Sequence, residues 1–493
     1  MVRPWLRLGS LVPIAFALCG SSSAHASPLI EAMGAVGSNA GAQGVVSGPG
    51  AASTYFNPAL LADAPDELVI GLGLISEQLG VTLQGRLPGA DVPLVVGGRG
   101  VSFNGQPLPP SVVPTQWLTQ GASGGFTARP RQAQGSGGQT RSYLTLGFAK
   151  SIVKDRLTLG LYAVLPVSNF TTAQPFFPDE REALFTNSLH PELYGDRLTA
   201  VSIVAGAAFD LLPSLSIGAA LSVGLANTAA SQDYVQSATD YSTLLLENRI
   251  TTSVSFSPTV GVRYQPTPWL RLGAAVHAPE SFTVAATVDA ALPTGTESGT
   301  TQQNVFDWMP WSVAAGVEAV VVRRGAYTMS VVGSLDYALW SKYEDRMGQH
   351  PSVYGPDMAF HDTASAAVGL RHAYKGARAY VDLRYVPTPV PKQVGRSNYV
   401  DNDRVGVGFG GDVLVTLLKI RPGFQVFADR FVPRTQQKDD SRITDEVPDG
   451  SIVTSTGAPV AGSQGLQTNN PGWPGFSSGG WLWGGAVTLS MPL

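Results

Sequence analysis

ARAYVDLRY, residues 377–385, alternates from end to end: Ala377, Ala379, Val381, Leu383 and Tyr385 fall on one face, and Arg378, Tyr380, Asp382 and Arg384 on the other. Side chains point to opposite faces along a strand, so this spacing describes a strand with one apolar face and one polar face. The period returns along the chain. Leu157, Leu159, Leu161, Ala163, Leu165 and Val167 oppose Thr158, Gly160, Tyr162 and Ser168, with Val164 and Pro166 as exceptions. Val405, Val407, Phe409, Val413 and Val415 oppose Gly406, Gly408, Gly410 and Asp412. At the end of the chain, Trp481, Trp483, Val487, Leu489, Met491 and Leu493 oppose Gly484, Ala486, Thr488 and Ser490.

Composition says what the apolar faces meet. Only 14% of the 493 residues are charged and 56 are glycine, against roughly 25% charged and about 7% glycine in soluble domains. Arg3 and Arg7, the apolar run Leu8–Leu18 and Ala24-His25-Ala26 read as a signal peptide over residues 1–26. Lipidation of Cys19 is the rival, disfavoured by the bulky Leu18. Cleavage removes the only cysteine and leaves 30 basic against 36 acidic residues, too mild and scattered a balance to suggest nucleic acid. After the signal no run supplies the ~18 uninterrupted apolar residues of a spanning helix; the best candidate, Trp311–Val322, is short and carries Glu318. An exported, weakly charged chain of alternating strands crosses a bilayer only as a closed barrel.

The connections fall into two classes. Tight ones are expected near Lys154-Asp155, Leu212-Pro213, Pro266-Thr267, Arg323–Gly325, Lys375-Gly376 and Lys419–Pro422. Long ones are expected at Leu87–Thr140, Asn169–Asp196, Asn227–Asn248, Ala290–Asn304, Tyr343–Ala359, Pro387–Asn402 and Pro433–Ser478. About fourteen strands lie between them, short turns on one side and long loops on the other, as in an outer-membrane barrel. Trp269, Trp308, Trp311, Trp340, Tyr343, Trp481 and Trp483 lie near strand ends and suit interfacial girdles.

Little in the sequence points to chemistry. Gly121–Gly125 matches G-x-S-x-G but lies in a Gly/Ser/Gln-rich loop instead of a strand-turn-helix. Gly406, Gly408 and Gly411 fit G-x-G-x-x-G, yet the segment alternates as a strand and glycines facing a crowded lumen explain it better. His190, His277, His350, His361 and His372 have no metal-ligand spacing. No catalytic residue, metal or cofactor is expected, and the chain does not read as an enzyme. Arg378, Asp382 and Arg384 fit either a lumen ladder that binds a carboxylate or structural salt bridges between neighbouring strands. Asn57-Pro58 is a turn signal whose plain reading is a surface turn into the first strand.

The Gly/Ala-rich start, STYFNPALLA (53–62), RLTAVSIVAGAAFDLLPSLSIGAAL, PWLRLGAAVHAP, SLDYALWSKYED and YVPTPVPKQVGRSNYVDNDRVGVGFG, in this order, resemble the FadL-type long-chain fatty acid transporters of the Gram-negative outer membrane. The resemblance covers nearly all of the mature chain. It implies an all-β transmembrane antiparallel β-barrel of about 14 strands over residues 67–493, with residues 27–66 as a hatch inside the lumen and the Asn57-Pro58-Ala59 turn ending it. It implies transport of a hydrophobic ligand, a fatty acid or hydrocarbon, with lateral release where the third strand is interrupted, here at Pro166. The partners expected are that ligand, outer-membrane lipid and the barrel assembly machinery, for a monomer in the outer membrane. The alternatives are a porin-like channel for polar solutes and a receptor or adhesin barrel that displays its loops without transport.

Overall fold

A computed structural model describes residues 28–83, 139–167, 201–224, 228–236, 243–252, 255–291, 297–345, 348, 350–354, 358–394, 399–437 and 475–493, with short strand pieces between 95 and 135. The signal-peptide reading and Gly121–Gly125 lie outside the described residues.

Fourteen antiparallel strands form the wall: β1 (Glu67–Leu83), β2 (Gln139–Val153), β3 (Leu157–Pro166), β4 (Ser202–Leu212), β5 (Leu215–Gly224), β6 (Ser255–Thr267), β7 (Leu270–His277), β8 (Ser312–Arg324), β9 (Tyr327–Ala338), β10 (Thr363–Tyr374), β11 (Ala377–Val386), β12 (Arg404–Val413), β13 (Arg421–Gln437) and β14 (Gly475–Pro492). Each pairs with the next, and β14 pairs with β1 from Glu67–Pro492 to Leu83–Phe476, so the sheet closes. Closure leaves no unpaired edge in the wall, which is what a bilayer demands of strands.

The alternation in the sequence becomes an inside and an outside. Along β11 Val381, Leu383 and Tyr385 are exposed while Tyr380 and Asp382 are buried. Leu72, Leu161, Phe209, Val260, Val317, Leu335, Val368, Val407 and Val487 continue the outer band around the wall. These apolar surfaces would be ruinous in water; they are the face a bilayer covers.

Six tight turns join strands at the end where the chain enters and leaves. At Lys375-Gly376 both residues have positive φ, 46° and 88°, the geometry whose twist matches two flanking strands. The turns at 154–156, 213–214, 268–269, 325–326 and 414–420 complete the set; those expected at Pro266-Thr267 and Lys419–Pro422 fall a few residues away, with Pro266-Thr267 and Arg421-Pro422 inside strands.

The opposite end differs from expectation. The Asn227–Asn248 and Ala290–Asn304 connections are not plain loops. Thr228–Gln236, Thr243–Thr252, Glu280–Ala291 and Glu297–Met309 form a separate four-stranded antiparallel sheet. Pro279 and Pro310 stand where the chain passes from the barrel to this sheet and back. A proline cannot donate to a ladder, so it marks a place where pairing can change partners. Two girdle expectations also change. Trp269, Trp311, Trp481 and Trp483 are exposed on the outer face. Trp308 and Tyr343 instead bury with Phe360, Tyr399 and Val390, Trp340 packing against them. Tyr343 stacks on Phe360 at 4.2 Å. Six apolar groups meeting under the loops bury more area together than they would singly at the interface.

Candidate functional site

Residues 28–63 run inside the wall as a short helix (Pro28–Met33), a helical turn (Ser53–Phe56) and a 3₁₀ turn (Pro58–Asp63). Gly34, Gly37, Gly41 and Gly48, all at positive φ, let the chain double back between them. Small side chains bring its backbone close to the strands, and the strands answer with glycines of their own. A Cβ on Gly160 would collide with Thr54, on Gly218 with the Pro58 backbone, on Gly261 with the Asn57 side chain, and on Gly273 with the Val45 carbonyl. Gly316 lies under Val46 and Gly147 under Ala51. These glycines belong to β2, β3, β5, β6, β7 and β8, so nearly half the circumference is thinned to seat one segment.

Asn57 is the pivot. It is fully buried. Its Oδ1 accepts from the Ala59 N–H at 3.1 Å, and its Nδ2 donates to the Val45 carbonyl at 2.7 Å and to the Val262 carbonyl of β6 at 3.1 Å. The side chain therefore caps the Pro58–Asp63 turn and ties it to both the segment and the wall. Pro58 supplies the fixed φ of the first position in that turn. Asp63, at the segment's end, pairs with Arg263 at 2.8 Å.

The other side of the seat is polar. Arg371 of β10 and Asp382 of β11 pair at 2.7 Å with side chains 4% and 2% exposed. Both also hold the segment: Arg371 donates to the Ala40 carbonyl and Asp382 accepts from the Ala42 N–H at 2.9 Å. Arg384 pairs with Asp429 of β13 at 2.8 Å and donates to the Ala32 carbonyl at 3.2 Å. Arg404 adds a longer contact to Asp429, 3.5 Å. Arg378 and Arg421 converge on Asp412, at 2.7 and 2.6 Å. Gln425 donates to the Met33 carbonyl at 2.8 Å, and Glu67 accepts from the Ala51 N–H at 3.0 Å. Arg378, Asp382 and Arg384 thus all face inward, each in an ion pair with another strand. Arg384 reaches Asp429 across β12 because Gly406 stands between them, where a Cβ would collide with the Asp429 carboxylate. That is the physical use of the glycine that fitted a nucleotide-binding pattern.

Towards the loop end the lumen turns apolar. Leu29, Ile30, Met33, Tyr55 and Phe56 of the segment pack in one cluster with Ile75, Leu79 and Val81 of β1 and Tyr143, Tyr162, Val164 and Val204 of β2–β4. Phe427 and Phe431 of β13, with Phe476 and Leu482 of β14, close the cluster from the other side. Among the described residues no group of histidine, cysteine and carboxylate side chains is arranged to hold a metal. His277 is buried beside the Tyr55 ring, 5.3 Å between centroids. Asp362, next to His361, accepts from the Tyr337 hydroxyl and from the Ser341 N–H.

Pro166 is the last residue of β3, opposite Tyr143 of β2. Val167 donates its N–H to Ser142 of β2. Donors alternate sides along a strand, so the N–H that Pro166 lacks is one that would face β4. Pairing between β3 and β4 runs from Leu157–Phe209 to Val164–Ser202 and, among the described residues, stops there.

The sequence reading missed the glycine seat on β2–β8 and the acceptors held by Arg371 and Gln425. A signal was present, because Gly147, Gly160, Gly218, Gly261, Gly273 and Gly316 all interrupt alternating strands on the inward face. What it lacked was the partner, since the residues they accommodate lie far away in sequence.

No family model and no curated protein matches the chain in sequence. Among solved structures it is similar to a FadL homologue of Pseudomonas aeruginosa, with a TM-score of 0.51 and 12% identity over 95% of this chain and 99% of that one. It is also similar to the Pseudomonas putida toluene transporter TodX, with a TM-score of 0.45 and 12% identity over 96% and 99% of the two chains. The Ralstonia pickettii toluene transporter TbuX gives 0.40, with 11% identity over 95% and 98%. At such identities the likeness speaks for the fold alone: this chain is a closed fourteen-stranded antiparallel β-barrel whose architecture matches that of the FadL homologue.

Proposed function

We propose that the protein carries hydrophobic molecules across the outer membrane, with residues 27–66 acting as a hatch that closes the barrel. The observation that carries the reading is the apolar cluster running from Leu29 and Ile30 of the hatch to Phe431 and Phe476 near the loop ends of the wall. A porin keeps its path wet and polar. Here the side chains that meet between the hatch and the wall in this cluster are aliphatic and aromatic, surroundings that favour a greasy passenger by about 0.8 kcal/mol per methylene buried. The unpaired end of β3 at Pro166, where the wall has no donor towards β4, is the natural place for such a passenger to leave sideways into lipid.

Deletion of residues 27–62 tests the hatch. The strands begin at Glu67 and make their own closed ladder, so the barrel should still fold in vesicles. Its conductance in planar bilayers should rise from almost nothing to a large steady level. A parent as conductive as the deletion variant would put the porin alternative first. For the exit, Pro166→Ala should slow hydrocarbon uptake by cells at equal surface abundance; unchanged uptake would leave Pro166 as a plain strand end.

A further inference from the structure

We infer that the passenger is uncharged, and that Glu31 of the hatch is the residue that turns carboxylates away. This rests on the transport reading above and adds a substrate class to it. A channel for anionic amphiphiles needs a cation free to meet the head group. Among the described residues, no buried or half-buried arginine of the wall is free to do so. Arg371 is held by Asp382, Arg384 and Arg404 by Asp429, and Arg378 and Arg421 by Asp412. Arg263 and Arg271 lie on Asp63, Asp210 and Glu318. Arg434 donates to the carbonyls of Asp401 and Val390, and the buried Arg141 is partnered as well.

What does face the open lumen is an acid. Glu31 is the one exposed residue in the run Leu29–Val36, whose neighbours are all buried. Its carboxylate accepts from the Tyr55 hydroxyl at 3.0 Å. Its surroundings are Asp336 of β9 together with Arg384 and Arg404, both committed to Asp429. Three carboxylates therefore share two guanidiniums at the apolar cluster's edge. Enclosure by the wall and the Asp336 charge push Glu31 up to about 7, in the direction expected of a site already short of positive charge. A ligand carboxylate arriving here would be desolvated beside like charge, with both nearby guanidiniums already held by Asp429, whereas an alcohol gives up far less hydration and a hydrocarbon none.

The test uses purified full-length protein, with radiolabelled 1-dodecanol and dodecanoate as probes at about pH 8, where both Glu31 and dodecanoate are mainly ionised. The alcohol should bind about tenfold or more tightly than the acid, on the order of the repulsion between two charges in a partly wetted lumen. Glu31→Gln, which keeps an acceptor for Tyr55, should narrow the ratio to within about threefold, and Glu31→Lys should reverse it. Dodecanoate binding as well as dodecanol to the parent would overturn the substrate class. A ratio unmoved by Glu31→Gln would overturn the role of Glu31. Binding of neither probe would overturn the inference together with the transport reading beneath it, a result distinct from a preference for the acid.

Discussion

Residues 28–63, the proposed hatch, are held by two unlike half-circles of wall. From β2 to β8 the strands offer absence: glycines where side chains would stand, so that Asn57, Pro58 and Val45 rest on bare backbone. From β10 to β13 they offer bonds, with Arg371, Asp382, Arg384 and Gln425 reaching the hatch backbone at Ala40, Ala42, Ala32 and Met33. The glycine side gives fit but little directional attraction beyond Asn57 and Asp63. The ion-pair side gives direction, but each of its buried pairs must remain complete. A segment too small-sided to fold alone is thus shaped by one half of the barrel and fastened by the other.

Breaking the fastened half should have the largest effect. Asp382→Ala removes the partner of Arg371, leaving a buried guanidinium whose exposure is only 4%. Removing one member of such a pair costs about 3–5 kcal/mol, and the Ala42 N–H loses its acceptor as well. Denaturant titrations in vesicles should show the loss, and planar bilayers should show frequent openings. The double change Arg371→Met with Asp382→Leu removes the orphaned charge, so it should recover most of the wall's stability but none of the hatch bonds. If the double variant is as silent in bilayers as the parent, the pair does not fasten the hatch.

The two halves were unequally legible in the sequence. Strands, faces and the six tight turns follow from period and from turn residues such as Lys375-Gly376, because those signals are local. The inward placement of Arg378, Asp382 and Arg384 followed from the same alternation. Their partners did not: Asp412 and Asp429 lie on other strands, and which arginine meets which aspartate depends on register and on gaps such as Gly406. The extra four-stranded sheet was missed for a related reason. Residues 243–252 and 280–291 alternate no worse than wall strands, and only their pairing with each other removes them from the barrel.

Breaking the fitted half should have a smaller effect. Gly218→Ala and Gly261→Ala place a methyl group against the Pro58 backbone and the Asn57 amide, where neither strand nor hatch can yield much. Overpacking of this kind costs about 1–3 kcal/mol, and the cheapest relief is for the hatch to rise from its seat. The expected outcome is a persistent leak with normal folding of the barrel. Gly333→Ala is the control, since the nearest atom to its new Cβ is the Ala367 carbonyl oxygen of β10, 3.9 Å away. Equal leaks from all three would mean that the glycines do not shape the seat. Asn57→Ala with Pro58→Ala should be milder still. It loses a cap and two donated bonds, each worth about 1 kcal/mol net, but clashes with nothing, so openings should be brief and reversible.

The smallest expected effect joins the two halves, because Glu31 sits on the hatch while its charge environment comes from Asp336, Arg384 and Arg404 of the wall. In the seated hatch, burial first and the Asp336 charge second raise Glu31 from an ordinary 4.5 to about 7. When the hatch lifts into water that shift is lost. The seated state therefore binds the proton more tightly than the lifted one, and seating is favoured most below about pH 4.5 and progressively less as pH rises to 7. Lumen water reaches this carboxylate, so screening keeps the effect modest. Bilayer recordings of the parent should show openings becoming more frequent from acid to neutral pH and levelling off above it. In Glu31→Gln that trend should flatten, since an amide does not titrate in this range and still accepts from Tyr55. A slope that survives the substitution would assign it to another group, and one that falls with rising pH would mean Glu31 is stabilised as an anion in its seat.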